Sequence, residues 1–281
     1  MNTKKFTKDS EIVIAIKKKY KKHEYQEIAN ELGIKKTTVR YIINRILGIS
    51  VGSGRCLKDK RPNPSNDTIF DKWTRESAYC LGFLITDGHI DKTRPRINIG
   101  LSIKDIIHLS KIRDILSPKT EISIRKYSGS PSGDRCELIF TSKKIHSFLL
   151  SIGFTHNKTG NEPLLLNIIP KKYHFDYLRG IIDGDGCIYY KTRNRKIKNK
   201  QYICKDSKIQ ISSLNDKFLN EINEKLFLSQ GRIIFSSGCY VLQISNRNKI
   251  LDICRKIYKN KDSTPFLERK YNKFLEMENF E

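Results

Sequence analysis

Tyr79-Cys80-Leu81-Gly82-Phe83-Leu84-Ile85-Thr86-Asp87-Gly88 and Tyr177-Leu178-Arg179-Gly180-Ile181-Ile182-Asp183-Gly184-Asp185-Gly186 read as two copies of one segment. Each is an apolar run with small residues four positions apart, and each ends in Asp-Gly. Small residues at that spacing share one helix face and let two helix backbones approach closely. The two aspartates lie 98 positions apart, too far for a local turn repeat and suited to two equal half-domains. Close approach of the helices brings Asp87 and Asp185 together at carbonyl-rich helix ends. Carboxylates there repel one another and oppose the helix dipole, so a divalent cation is their natural partner.

The sequence after each segment repeats as well. In the first pass Arg96–Ser102 alternates apolar and polar residues as a strand does. A helix over Asp105–Leu116 follows, then strands over Glu121–Tyr127 and Cys136–Phe140, then a helix over Lys143–Ile152. In the second pass strands are expected at Cys187–Tyr190 and Lys208–Ser213, a helix at Asp216–Phe227, strands at Arg232–Phe235 and Tyr240–Ile244, and a helix at Lys249–Tyr258. Both passes spell α-β-β-α-β-β-α. The junction Ser102-Ile103-Lys104-Asp105 sits where Ser213-Leu214-Asn215-Asp216 sits. One duplicated unit accounts for both halves.

Upstream, the first forty-odd residues read as three short helices. An N-cap at Asp9-Ser10-Glu11 opens the first, the second spans Tyr25 to Leu32 and stops at Gly33, and the third starts near Lys35 and carries Val39, Ile42, Ile43 and Ile46 on one stripe. Ala29, Gly33 and Val39 stand at offsets suited to a helix-turn-helix: a small residue at the crossing, a glycine in the turn and an apolar anchor on the recognition helix. Lys35, Lys36, Thr37, Arg40 and Tyr41 then face outward from the start of that helix, where base edges are met. A Gly-, Ser-, Pro- and charge-rich stretch without periodicity follows. The expected division is a helix-turn-helix domain over 1–49, a basic linker over 50–72, a first half over 73–170 and a second over 171–281.

Composition narrows the partner. The chain has 281 residues with 54 Lys+Arg against 30 Asp+Glu, a formal charge of +24. The excess is distributed, since residues 1–68 hold 16 of the basic and 7 of the acidic residues. Such a charge implies a polyanionic partner. Without a long apolar stretch or a basic amphipathic helix, nucleic acid is expected and a membrane is not. Seven scattered cysteines contain no C-x-x-C pair, and six histidines form no metal-ligand spacing, so zinc chemistry is not supported. Met1–Lys5 leads into polar sequence without a signal-peptide core, which places the expected location in the cytoplasm, on DNA.

Residues from about 74 onward resemble a single-chain, two-motif member of the LAGLIDADG homing endonuclease family, and the two quoted segments resemble its signature motifs. The resemblance implies an α+β fold in which two pseudo-symmetric αββαββα repeats form a DNA-binding saddle, preceded here by the small all-α helix-turn-helix domain. It implies a Mg²⁺-dependent site-specific double-strand endodeoxyribonuclease, active as a monomer on a long asymmetric duplex site, with two or three divalent ions and Mn²⁺ able to substitute. Asp87 and Asp185, at the eighth motif position, would bind metal and each serve one strand. A basic residue is implied near each site: Lys158 in the first half and Lys261 in the second, with Lys259 and Lys270 as rivals. Ser102 and Ser213 fall where the family places a water-orienting side chain. The polar strands, with Arg96 and Asn98 in the first half and Lys191, Arg193 and Arg195 in the second, suit a sheet laid in the major groove. The sixth motif position, usually Asp, is Asp183 in the second copy but Ile85 in the first, and Thr86 replaces a smaller residue. Any weaker half is therefore expected to be the first. An initial Met without terminal splicing residues leads us to expect a free-standing or intron-encoded chain. Two other readings compete: a regulator that binds DNA on the same scaffold without cutting it, and an RNA-splicing maturase.

Overall fold

The computed structural model describes residues 10–20, 23–47, 65–126, 133–197 and 200–279. The chain divides into Met1–Pro62 and Asn63–Glu281. In the first unit, α1 (Glu11–Lys19), α2 (Tyr25–Glu31) and α3 (Lys36–Tyr41) bury Val13, Ile16, Ile28, Ala29, Val39, Ile42 and Ile43 against one another. Glu24 and Glu27 form a reciprocal cap at the start of α2. Gly33 turns the chain at φ +61°, where a side chain would be strained. The last turn after α3 widens over Ile42–Ile46.

The second unit opens earlier than the sequence implied. Residues 50–64 of the expected linker lie outside the described residues, but 65–72 pack on the first repeat. The Asn66 amide donates to Leu116 O at 2.8 Å, Ser142 Oγ donates to Asp67 Oδ1 at 2.6 Å, and Phe70 stacks on Phe148 at 4.6 Å. Ile69 and Phe70 supply the apolar surface that anchors this polar stretch.

Thr74 then caps α4 (Arg75–Asp87), accepting from the Ser77 amide. β1 (Gly88–Ile90), β2 (Arg96–Ser102), α5 (Ile106–Leu116), β3 (Ile122–Arg125), β4 (Arg135–Thr141) and α6 (Lys143–Ser151) complete the first repeat. The second runs through α7 (His174–Asp185), β5 (Gly186–Ile197), β6 (Lys200–Ser213), α8 (Asp216–Leu226), β7 (Arg232–Ser236), β8 (Cys239–Ile244) and α9 (Arg247–Tyr258). Each repeat forms a four-stranded antiparallel sheet, ordered β1-β2-β4-β3 and β5-β6-β8-β7. The α+β duplication read from the sequence is the fold observed.

Two features exceed the expectation. The β5–β6 hairpin continues for twelve paired positions, from Gly186↔Ile211 to Ile197↔Lys200. Beyond Tyr190 it has no apolar face to bury, and the backbone ladder carries it. A further helix, α10 (Glu268–Glu278), follows α9 and buries Phe274 and Met277 against the core.

α4 and α7 cross at the centre, and their glycines set the distance. A Cβ on Gly82 would lie 2.2 Å from Tyr177 O, and one on Gly180 would lie 2.2 Å from Tyr79 O. The contact is reciprocal, since Tyr79 and Tyr177 occupy the same motif position. At the seventh position the symmetry breaks: a Cβ on Gly184 would meet Thr86 Oγ1 at 1.9 Å. Thr86 is tolerated because its counterpart has no side chain.

Candidate active site

Asp87 and Asp185 are the last residues of α4 and α7. The glycine crossing brings these ends together, and Asp87 Oδ2 lies 2.7 Å from where a Cβ on Gly184 would stand. Burial raises the Asp87 carboxyl to about 6, and the charge of Asp185 adds to the rise. Lys158, Lys270 and Arg135 act in the opposite sense. Asp185 reaches solvent, yet desolvation among the helix ends raises it too, with Lys158 and Lys270 opposing. Two carboxylates that each resist ionisation present a set of hard oxygen donors.

Both helix ends are closed by a lysine. Lys158 Nζ donates to Leu84 O at 3.4 Å, to Ile85 O at 2.9 Å and to Thr86 O. Lys270 Nζ donates to Ile182 O at 2.6 Å, to Asp183 O at 2.8 Å and to Gly184 O at 3.2 Å. The acceptors are equivalent motif positions, so Lys270 is the structural counterpart of Lys158. Each ammonium directs its three donors at the last carbonyls of a helix C-terminus, the first of which also accepts from the capping glycine amide, and a cation there complements the dipole. Burial lowers both lysines to about 8; the Asp185 and Asp87 charges resist this at Lys158, as Asp183 and Asp87 do at Lys270.

Lys261 does not join the site. It pairs with the adjacent Asp262 at 2.7 Å and lies over the Tyr271 ring. Lys259 is exposed at the end of α9. The sequence rivals were three lysines within one basic stretch, and α10 decides between them by pointing Lys270 inward.

Asp183 explains how α10 is placed. Its Oδ2 accepts from the Leu267 amide at 3.0 Å and from Tyr79 OH at 2.9 Å. Leu267 is the residue before α10, so Asp183 fixes the start of the helix that carries Lys270. Burial raises Asp183 to about 6, against the pull of Lys270 and the Tyr79 hydroxyl. The Tyr79 oxygen also meets His108 Nε2 at 2.9 Å. In the first half Lys158 lies on a loop before α7, with no helix start to anchor, and Ile85 occupies the corresponding position in the core.

The two serines are not equivalent. Gly88 pairs with Ile99 and Gly186 with Ile211, so the register sets Ser213 opposite Leu101 in the other repeat and Ser102 opposite Leu214. The matched junctions in the sequence are out of step by one residue. Ser102 lines a cleft of about 210 Å³ with Asp87, Gly100, Asp105, His108, Arg135 and Arg269, among others. Ser213 Oγ instead accepts from the Asn215 amide at 2.9 Å and closes the turn into α8.

The strand residues fall where alternation put them. Arg96 and Asn98 share the sheet face opposite buried Ile97 and Ile99, together with exposed His89, which pairs with Asn98. Lys191 and Arg193 share the face of Cys187 and are exposed; Arg193 bonds Tyr189 OH at 3.1 Å and Asp206 at 3.2 Å. Arg195 continues this register, paired with Tyr202. In the first unit Lys35, Lys36, Thr37, Arg40 and Tyr41 are all exposed around buried Val39.

No family model matches the chain. Among curated proteins it is 27% identical over 243 residues to the replication factor C small subunit of Methanocaldococcus jannaschii, covering 79% of this chain. It spans 13% of that protein's length. Among solved structures, the LAGLIDADG meganuclease I-AabMI bound to uncleaved DNA superposes with a TM-score of 0.51 at 13% identity, covering 72% of this chain and 88% of that one. The chain has the LAGLIDADG fold. A mutant of I-SmaMI superposes with a TM-score of 0.50 at 14% identity, over 72% and 89% of the two chains. At these identities the LAGLIDADG likeness is one of architecture, and the chemistry rests on the residues above. None of the described helices is long and apolar enough to cross a membrane.

Proposed function

We propose that this protein is a site-specific double-strand DNA endonuclease of the homing type, monomeric, with one divalent-metal site per strand. The observation that carries the reading is the pair of motif aspartates at one helix crossing, each beside a lysine locked on equivalent carbonyls. A structural Asp-Gly cap would need neither the crossing nor the lysines.

The donor set fits Mg²⁺. Among the described residues no group of three or more His, Cys, Asp or Glu forms a cage. Mg²⁺ is commonly held by one or two carboxylates, with water and phosphate oxygens completing its octahedron. Asp87 and Asp185 would hold the ions, which when bound supply water activation and leaving-group stabilisation for phosphodiester hydrolysis. Lys158 and Lys270, with every N–H engaged, act as fixed positive charges beside the reacting phosphate and not as bases. The basic sheet faces at Arg96, Asn98, Lys191, Arg193 and Arg195 would lie along the duplex. The helix-turn-helix unit would add a second contact through Lys35, Lys36, Thr37, Arg40 and Tyr41, its tether raising the effective concentration. The net charge of +24 supports the polyanionic partner.

The test is selection of a preferred site from a random duplex library, followed by incubation with Mg²⁺ or Mn²⁺. Cutting of both strands at one locus supports the endonuclease. Tight binding without cutting would assign the scaffold to regulation, and preference for structured intron RNA would assign it to splicing.

A further inference from the structure

The duplication is broken beside Asp87, at Arg135. In the first sheet Ile99 pairs with Leu138 and Ser102 with Arg135. In the second, Ile211 pairs with Leu242 and Ser213 with Tyr240, so the next residue, Cys239, occupies the place of Arg135. One repeat presents a guanidinium at this register and the other a thiol.

Arg135 is set into the cleft. Its Nη2 donates to Gly100 O at 3.3 Å and lies 3.4 Å from where a Cβ on Gly100 would stand. The glycine leaves room for the guanidinium to lie flat across β2. In the second repeat that place belongs to Ser212, whose side chain is exposed on the same sheet face. Asp105, another acid on the cleft wall, is engaged by Arg269 at 3.3 Å. Arg135 makes no ion pair among the described residues. Its donors, beyond the one given to Gly100, are free for an anion beside the Asp87 carboxylate. A planar guanidinium suits two oxygens of a phosphodiester.

We infer that Arg135 grips the scissile phosphate of the strand served by Asp87, and that the second active site has no such group. This deepens the endonuclease reading and rests on it. The two strands are then cut at unequal rates, the Asp87 strand first, and a nicked duplex builds up between the two cuts. The motif sequence alone pointed the other way, to a weaker first half, because it compares Ile85 with Asp183. Asp183 and Arg135 both line the cleft, but Asp183 is buried and spends Oδ2 on the Leu267 amide and Tyr79 OH, whereas Arg135 is exposed with donors to spare.

The experiment follows each strand of the selected duplex with a separate 5′ label under single-turnover conditions with saturating protein. The strand that an Asp185→Asn variant still nicks identifies the Asp87 strand. Wild type is expected to cut that strand first. Arg135→Ala is expected to slow it by about a hundredfold, the usual size for loss of one transition-state donor, while the other strand keeps its rate within about twofold. Arg135→Lys should restore part of the loss. Arg135 is exposed, so unchanged circular dichroism is expected for both variants. Equal slowing of both strands, or weaker binding with an unchanged rate at saturation, would overturn the inference and leave the endonuclease standing. Binding without cutting by wild type would remove the endonuclease itself, and this inference with it.

Discussion

Lys158 and Lys270 stand in the same relation to two different helices. Each ammonium donates to three consecutive carbonyls at a motif helix end, Leu84 to Thr86 for one and Ile182 to Gly184 for the other. The lysines arrive by unlike routes, a loop after α6 and the first turn of α10. Equivalent placement by non-equivalent segments points to a requirement of the site.

Lys270→Met therefore removes the ammonium from the Asp183 and Gly184 carbonyls, while Ile182 O keeps the Gly186 amide. Stability is expected to fall by about 1–3 kcal/mol, the cost of stranded buried polar groups, and cleavage of the Asp185 strand to fall by about a hundredfold. Lys261→Met should leave both unchanged. Urea denaturation and strand-resolved cleavage of the two variants make the comparison.

Gly180→Ala places a methyl 2.2 Å from Tyr79 O, a backbone atom that cannot rotate away. Overpacking of this kind costs about 1–3 kcal/mol, and here the helix crossing must also widen. A lower unfolding midpoint together with weakened cutting of both strands is expected, because both aspartates depend on one crossing. Thr86→Gly, which removes a side chain that only a Cβ on Gly184 would meet, should leave cutting intact.

Asp183→Leu removes the acceptor of the Leu267 amide and of Tyr79 OH while keeping side-chain bulk. A loss of about 1–3 kcal/mol is expected for the stranded Leu267 amide, while the Tyr79 oxygen keeps His108 Nε2 as a partner. Because α10 carries Lys270, the Asp185 strand should slow more than the Asp87 strand. Equal loss on both strands would return Asp183 to a general core role.

In the N-terminal helical unit, replacing Lys35, Lys36 and Arg40 together by Ala should weaken binding across all sequences. The dependence of log affinity on log salt should become shallower by about 0.9 for each phosphate that is no longer neutralised. The cleavage position should not move if the motif aspartates set it, as proposed. Titration of labelled duplex at several salt concentrations measures both.

Much of this was legible in the chain itself. The motif glycines, the alternation at Ile97 and Ile99 and the capped amphipathic helices are local signals, and they gave the duplicated fold and the meeting of Asp87 with Asp185; Lys158 came only through the family resemblance. What escaped was register and long-range placement. Ser102 and Ser213 looked equivalent because their junctions match in letters, yet the ladder offsets them by one. Lys270 was one basic residue among several until α10 turned it inward. Arg135 carried no signal at all, since its meaning depends on Gly100 across the sheet and on Cys239 in the other repeat. The β5–β6 hairpin ran past its apolar alternation because backbone pairing needs no apolar face.

The central claim is one motif aspartate per strand. Its most direct measurement is cleavage of the selected duplex, with each strand separately labelled, by Asp87→Asn and Asp185→Asn in Mg²⁺. The account predicts that each variant nicks one strand and spares the other, with opposite strands spared. Loss or retention of both cuts in either variant would contradict it.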